Sequence, residues 1–289
     1  MAEGGIDDPT RDTYDQTFVI LACAWYHAAT NKPAALAMAE RAYRFLNDHV
    51  RDDVHGGFYE EFPSVGTLPR RQNPHMHLLE ACLAMCNATG EASWLARSDE
   101  LVGLFEKRLF DGASGSVAEF FGADWSTAPG APGQLREPGH QFEWVWLLHE
   151  YRRLGGARPV EVLIQRLFDF GLRHGLDTQS PQVVLDGVDS AGGVVAGTKL
   201  FWPQTEYIKA CVVRAEAGNV HAAREIGIHF RKLDAHFFRP DGANWCNQIA
   251  RDGTFMTEVT PARVLYHLFL AVAEMARYGA VSARPGRNA

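Results

Sequence analysis

The feature that most constrains this chain is a pattern of apolar residues at three- and four-residue spacing that is broken and restarted at regular intervals. It runs through Phe18–Thr30, Pro33–Val50, His77–Thr89, Ala92–Leu109, Gly139–Leu154, Pro159–His174, Thr205–Ala217, His221–Phe237 and Pro261–Tyr278, and predicts about nine helices. Several helices lead into similar segments: RDDVHGGFYEEF, FDGASGSVAEFF, LDTQSPQVVLDGV and RPDGANWCNQIARDG, each joining Asp or Gly turn residues to a short extended piece. Aligned positions Phe58, Val117, Val183 and Trp245 recur every 59 to 66 residues. The unit is therefore a helical hairpin plus a short β-turn segment. Such units stack as an open solenoid or close into a toroid of inner and outer helices.

With 289 residues, 46% of them hydrophobic and 22% charged, the chain can bury one continuous core, so 1–289 is expected to form a single domain with tails at 1–13 and 280–289. Its 28 Lys+Arg against 35 Asp+Glu give a formal charge of -7, with no basic run to track a phosphate backbone. Nucleic acid is not an expected partner. The first residues are polar and acidic, and the longest apolar run, Phe18 to Tyr26, is too short to span a bilayer, so neither a leader nor a membrane is expected. Five cysteines, Cys23, Cys82, Cys86, Cys211 and Cys246, lie mostly in apolar helical pattern, as thiols that pack as small hydrophobes. The expectation is a reduced, cytoplasmic protein.

Polar chemistry gathers where helices begin. RQNPHMHLLEA places His75 and His77 at the start of an apolar run. In EPGHQFEWVWLLHEY, Gly139 is expected to relieve the backbone before the helix, while His140 and Glu143 share one face of its first turn. LFWPQTEYIKA groups Trp202, Gln204 and Glu206, and TPARVLYHLFLA carries His267. In a closed ring these starts converge, and each supplies groups able to hydrogen-bond to or stack on a sugar. The bland alternatives have weight: His27, His149, His174, His221, His229 and His236 read as structural or exposed, and Trp144 and Trp202 could be core aromatics. Cys82 and Cys86 lie one turn apart without a second thiol pair, and there is no HExxH, phosphate-cradling glycine loop or GxSxG segment. No metal and no cofactor are expected, a three-histidine metal site being the chief chemical competitor.

The segments YDQTF, RQNPHMHLLEA, EPGHQFEW, WPQTE and YHLFLA resemble, in order and over essentially the whole chain, the motif set of the N-acylglucosamine 2-epimerase family, which includes mannose isomerases and cellobiose 2-epimerases. The resemblance implies an all-α fold, an (α/α)6 barrel, which agrees with the hairpin repeat. It implies His140 and His267 as the acid/base pair at the sugar C2 and His77 as the histidine of the isomerase branch. Tyr14, Asn73, Glu143, Trp202 and Glu206 are implied as substrate-binding residues. Family members carry helices before the YDQTF segment, so the chain is expected to be an N-terminally shortened form with an incomplete barrel, its open edge covered by a homo-oligomer.

An imidazole with a pKa near about 6.5 can act as base and then as acid at neutral pH. Histidines facing an enediolate therefore permit aldose–ketose isomerization or 2-epimerization without a cofactor. The expected substrate is a monosaccharide, and the expected reaction mannose to fructose. The alternatives are an N-acylglucosamine- or cellobiose-type 2-epimerase, a catalytically inactive sugar-binding or interaction protein, and a glycoside hydrolase using Glu143 and Glu206.

Overall fold

In the computed structural model, which describes residues 8–239, 244–257 and 259–282, nine long helices are present among the described residues. They are α1 (Thr13–Thr30), α2 (Pro33–His49), α3 (Asn73–Thr89), α4 (Ala92–Leu104), then, after the single turn α5 (Ala131–Gln134), α6 (Pro138–Arg153), α7 (Glu161–Phe170), α8 (Phe201–Glu216), α9 (Val220–Phe237) and α10 (Leu265–Ser282). Strands are two or three residues long and pair only two at a time, antiparallel where the register is given. The expected helix number holds, while the starts move. α1, α3 and α8 begin four or five residues earlier than apolar periodicity indicates, because their first turns carry polar and proline residues that the pattern does not count. Pro33 and Pro74 in first turns suit a place where the missing N–H is not needed. Asn31 and Gly90, both left-handed, end α1 and α3 by returning an N–H to the last turn.

The chain groups into two compact units. The first takes in the chain up to residue 110 with 118–133 and 150–159, and the second takes in 111–117, 134–149 and the chain from 160 onward. Segments of the two units thus alternate along the sequence. Within the first, α1 packs on α2 and α3, and α3 on α4. Within the second, α8 packs on α9 and α10. A core cluster there joins Val183, Phe201, Leu233, Phe237, Trp245 and Ile249. Of the expected tails, Arg11–Asp12 pairs with Glu61–Phe62 and α10 runs on to Ser282. Residues 1–7 and 283–289, and Pro240 to Ala243 of the fourth turn segment, lie outside the described residues.

The hairpin repeat has a specific hydrogen-bonded frame at three helix starts. Five residues before each frame residue stands a buried cation: Arg70, Arg136 or Lys199. Each meets an aspartate of its own turn segment, Arg70 with Asp52 at 2.7 Å, Arg136 with Asp111 at 3.5 Å, and Lys199 with Asp177 at 3.1 Å. The frame residue, His75, Gln141 or Gln204, then grips the extended piece. The N–H of Phe58 donates to His75 Nε2 at 2.9 Å, that of Val117 to Gln141 Oε1 at 2.8 Å, and that of Val184 to Gln204 Oε1 at 2.8 Å. The repeat therefore aligns on Val184, one residue beyond Val183. The two glutamine amides also donate to the carbonyls of Val117 and Val184, at 3.0 and 2.9 Å. All three frame residues reach the carbonyl four residues back, that of Arg71, Glu137 or Leu200. Each buried backbone group so paired avoids a desolvation loss of about 1–3 kcal/mol.

Candidate active site

Two residues after each frame residue, on roughly the opposite side of the same helix, stand His77, Glu143 and Glu206, the residues the sequence points to for chemistry. The frame sets the register of each helix against its turn segment, and that register fixes where these side chains lie.

In the first unit, His77 is 3% exposed and lies against Tyr14, with ring centroids 5.1 Å apart and nearly perpendicular, and against Phe18 at 5.0 Å. Its Nδ1 is 3.1 Å from Glu80 Oε2, one turn further into α3. Asn73 is the first residue of α3, one turn before His77. Tyr14, Asn73 and His77 are thus carried by two packed helices, α1 and α3. His75, only two residues away, is used differently, since its Nε2 accepts the Phe58 N–H while Nδ1 faces the Arg71 carbonyl at 3.2 Å. Both nitrogens are committed to the neutral ring, and burial together with the nearby Arg70 charge pushes its pKa down to about 3. His75 is a frame residue, and His77 is the histidine of this pair that faces the Tyr14 ring.

In the second unit, His140 (α6) and His267 (α10) both lie against Trp202 (α8). The His140 and Trp202 centroids are 4.8 Å apart, and those of Trp202 and His267 are 5.5 Å apart. Gly139 serves this cluster by its lack of a side chain, since a Cβ there would stand 2.6 Å from the Trp202 ring. Its role is close approach, where the sequence suggested backbone relief. Each imidazole has a carboxylate: His140 Nδ1 is 3.4 Å from Glu137 Oε2, and His267 Nδ1 is 2.7 Å from Glu206 Oε1. Nδ1–H donating to a carboxylate leaves Nε2 to exchange protons with a ligand.

Glu206 is fully buried, and its other oxygen lies 2.7 Å from Lys209 Nζ. Burial opposes its ionisation, yet the Lys209 ammonium and the bond from His267 outweigh burial and hold the carboxyl below the usual range. Donor atoms of Glu143, Glu206 and His267 all lie within 4.8 Å of one another, a spacing that could surround a cation, and the Lys209 ammonium is the positive charge placed beside it. The same spacing bears on glycoside hydrolysis, whose paired carboxyl groups stand about 5–5.5 Å or about 6.5–9.5 Å apart. Glu206 is already engaged by an imidazole and an ammonium, which leaves it poorly placed to act as one of such a pair.

Glu80, Glu137 and Lys209 escaped the sequence reading. Their signal was there: each stands three residues from a singled-out His or Glu, the spacing at which helical side chains meet. The frame residues could have been found as the polar residue five after a cation in each repeat.

Helical hairpins joined by short turn segments thus carry carboxylate-supported imidazoles beside an indole, groups that can exchange protons with a bound ligand. The family model for N-acylglucosamine 2-epimerase (GlcNAc 2-epimerase) matches residues 1–271, and the chain belongs to that family. It is 34% identical over 285 residues to a protein of Rhizobium meliloti (strain 1021) named mannose-6-phosphate isomerase, covering 95% of this chain and 72% of that one. A D-mannose isomerase of Pseudomonas cannabina pv. alisalensis is 28% identical over 214 residues, covering 68% of this chain and 51% of the relative. A crystal structure of D-mannose isomerase superposes with a TM-score of 0.85 at 23% identity, covering 95% of this chain and 73% of that one, and has the same fold. Among the described residues no helix is long and apolar enough to cross a membrane.

Proposed function

We propose that the protein interconverts a mannose-type aldose and its ketose, without a cofactor, by imidazole proton transfer on the open-chain sugar. One observation supports this most directly: two buried histidines, His140 and His267, lie against one indole, and each has a carboxylate at Nδ1. An enediol route needs a base that removes the C2 proton and an acid that returns a proton to C1, while a proton moves between O2 and O1. A histidine held in one tautomer can do either half near neutral pH. His267, with the firmer carboxylate partner, is the proposed base that takes the C2 proton and returns it to C1, and His140 the group that gives a proton to O1 and takes one from O2. Trp202 offers a flat apolar surface to the C–H face of the sugar, which the pair would bracket. Tyr14, Asn73 and His77 are proposed to bind hydroxyls and assist ring opening, and Glu143 to accept from a hydroxyl. The names of the relatives favour mannose as the aldose, and assembly into a homo-oligomer is a proposal of the same kind.

A 2-epimerase is the second reading, favoured by the presence of two imidazoles against Trp202, one of which could deprotonate C2 from one face and the other reprotonate it from the opposite face. Proton NMR in D2O with mannose, fructose, glucose, N-acetylmannosamine and cellobiose separates the readings. Ketose formation with deuterium at C1 or C2 is expected; deuterium at C2 with only the epimeric aldose would select the epimerase, and no exchange with any sugar would sink both. Replacing His140 or His267 by Ala is expected to lower kcat/KM by about 10²–10⁴-fold.

A further inference from the structure

Three residues beyond the chemical position of each repeat stand Glu80, Trp146 and Lys209. In the first repeat the order is imidazole then carboxylate, His77 with Glu80 at 3.1 Å; in the third it is carboxylate then ammonium, Glu206 with Lys209 at 2.7 Å. Lys209 is wholly buried, its ammonium lies 3.9 Å from the centre of the Trp146 ring, and its neighbours on α8 are packed against α9 and α10. It lies against Glu206 and Trp146, and its side chain is out of reach of bulk solvent.

We propose that Lys209 is a positioning residue for proton transfer: it holds Glu206 as a permanent carboxylate whose free oxygen fixes Nδ1–H of His267, leaving Nε2 as the proton acceptor. The inference rests on the isomerase or epimerase reading above. A carboxylate and an imidazole buried together without a counterion have two ways to remain neutral, as carboxylate with imidazolium or as carboxylic acid with imidazole. The first would spend the base before substrate arrives, and the second would remove the acceptor that orients it. A buried ammonium on the second carboxylate oxygen relieves both. With Lys209 charged, Glu206 stays ionised while His267 is neutral, and His267 can take a proton and release it in each turnover.

Among the described residues, charged or titratable groups near this array include Glu143 and His140 from α6, His267 and Tyr266 from α10, Tyr207 and Cys211 of α8, and Glu225 and His229 from α9. Glu225 acts on Tyr207, and His229 bonds Gln204 Oε1 at 3.1 Å, so neither supplies a counterion to Glu206. Glu143 is a second carboxylate beside the first, which makes the ammonium more necessary.

The test is carried out on the full chain. In the wild-type protein, the side-chain carboxyl ¹³C signal of Glu206 is expected to remain that of a carboxylate while the His267 ring signal titrates; a protonation step at Glu206 in that range overturns the proposal. In Lys209→Met the protonation of His267 is expected at higher pH by about one unit, with the acidic limb of kcat/KM moving by the same amount and the rate at neutral pH falling about tenfold. Lys209→Arg, which keeps the charge, is expected to leave the limb near its wild-type place. An unmoved limb in a folded, active Lys209→Met protein overturns this inference and leaves the isomerase reading intact. Wild-type protein that exchanges no deuterium overturns that reading instead.

Discussion

The starts of α3 and α8 are built on one frame and carry opposite chemistry. Each begins with a buried cation bonded to an aspartate, Arg70 to Asp52 and Lys199 to Asp177, and each grips an extended residue five positions later, through His75 or Gln204. Two residues on, α3 presents an imidazole and α8 a carboxylate, and three further on the partners are reversed, Glu80 against Lys209. The difference teaches that folding and chemistry occupy separate positions of the repeat. The frame settles where a side chain will stand, and the chemical positions are then free to change type without disturbing it. The start of α6 fits the same scheme with a looser clamp, since Asp111 is 37% exposed and sits 3.5 Å from Arg136.

The clamps offer the strongest way to break the comparison. Asp177→Ala and Asp52→Ala should each cost about 3–5 kcal/mol in chemical denaturation, because each leaves a buried cation without its carboxylate. Asp111→Ala should cost clearly less, because solvent already screens its pair. Equal losses at all three would mean that the clamps are not graded by burial.

The frame amides come next. Gln204→Ala should cost about 2–3 kcal/mol, as it strands the Val184 N–H and removes the partner of His229; Gln141→Ala should cost about 1–2 kcal/mol, having no histidine behind it. Denaturation midpoints at constant slope would read both.

The smallest effect at neutral pH belongs to His75→Gln, which gives the first repeat the residue used by the other two. The loss should stay within about 1 kcal/mol at pH 7, because Oε1 and Nε2 of a glutamine can serve the Phe58 N–H and the Arg71 carbonyl. Acid should separate the two proteins. Burial holds His75 and His229 down to about 3 against an ordinary 6.5. Above pH 6.5 both folded and unfolded chains are neutral at these rings and the contribution is complete. Below it the unfolded chain takes a proton that the folded one refuses, so stability falls as pH drops toward 3, by about 2 kcal/mol per ring at pH 5. His75→Gln should remove one such loss, and a stability curve unchanged in acid would show that His75 is not held neutral.

Much of this protein was legible in its sequence. Three- and four-residue spacing gave nine helices, and the turn segments gave the repeat, because burying one face of a helix imposes a period on the chain. His77, His140, Glu143, Trp202, Glu206 and His267 were visible as polar or aromatic residues at the starts of apolar helices, and their motifs carried the family. The helix starts were misplaced where first turns hold Pro, Gln and His, since those residues are placed by hydrogen bonds across the turn segment and not by burial of a stripe.

What the sequence by itself determined is the helical repeat and the residue types at its chemical positions. Only the tertiary structure decided which neighbour each polar group answers to. It made His75 a neutral brace and set His77 against Tyr14, gave Gly139 its use under Trp202, and brought Lys209 to Glu206 and Glu206 to His267. The physical reason is that hydrophobic periodicity is a local and averaged signal, whereas a hydrogen bond or ion pair is a matter of a few tenths of an ångström between groups as much as 74 residues apart.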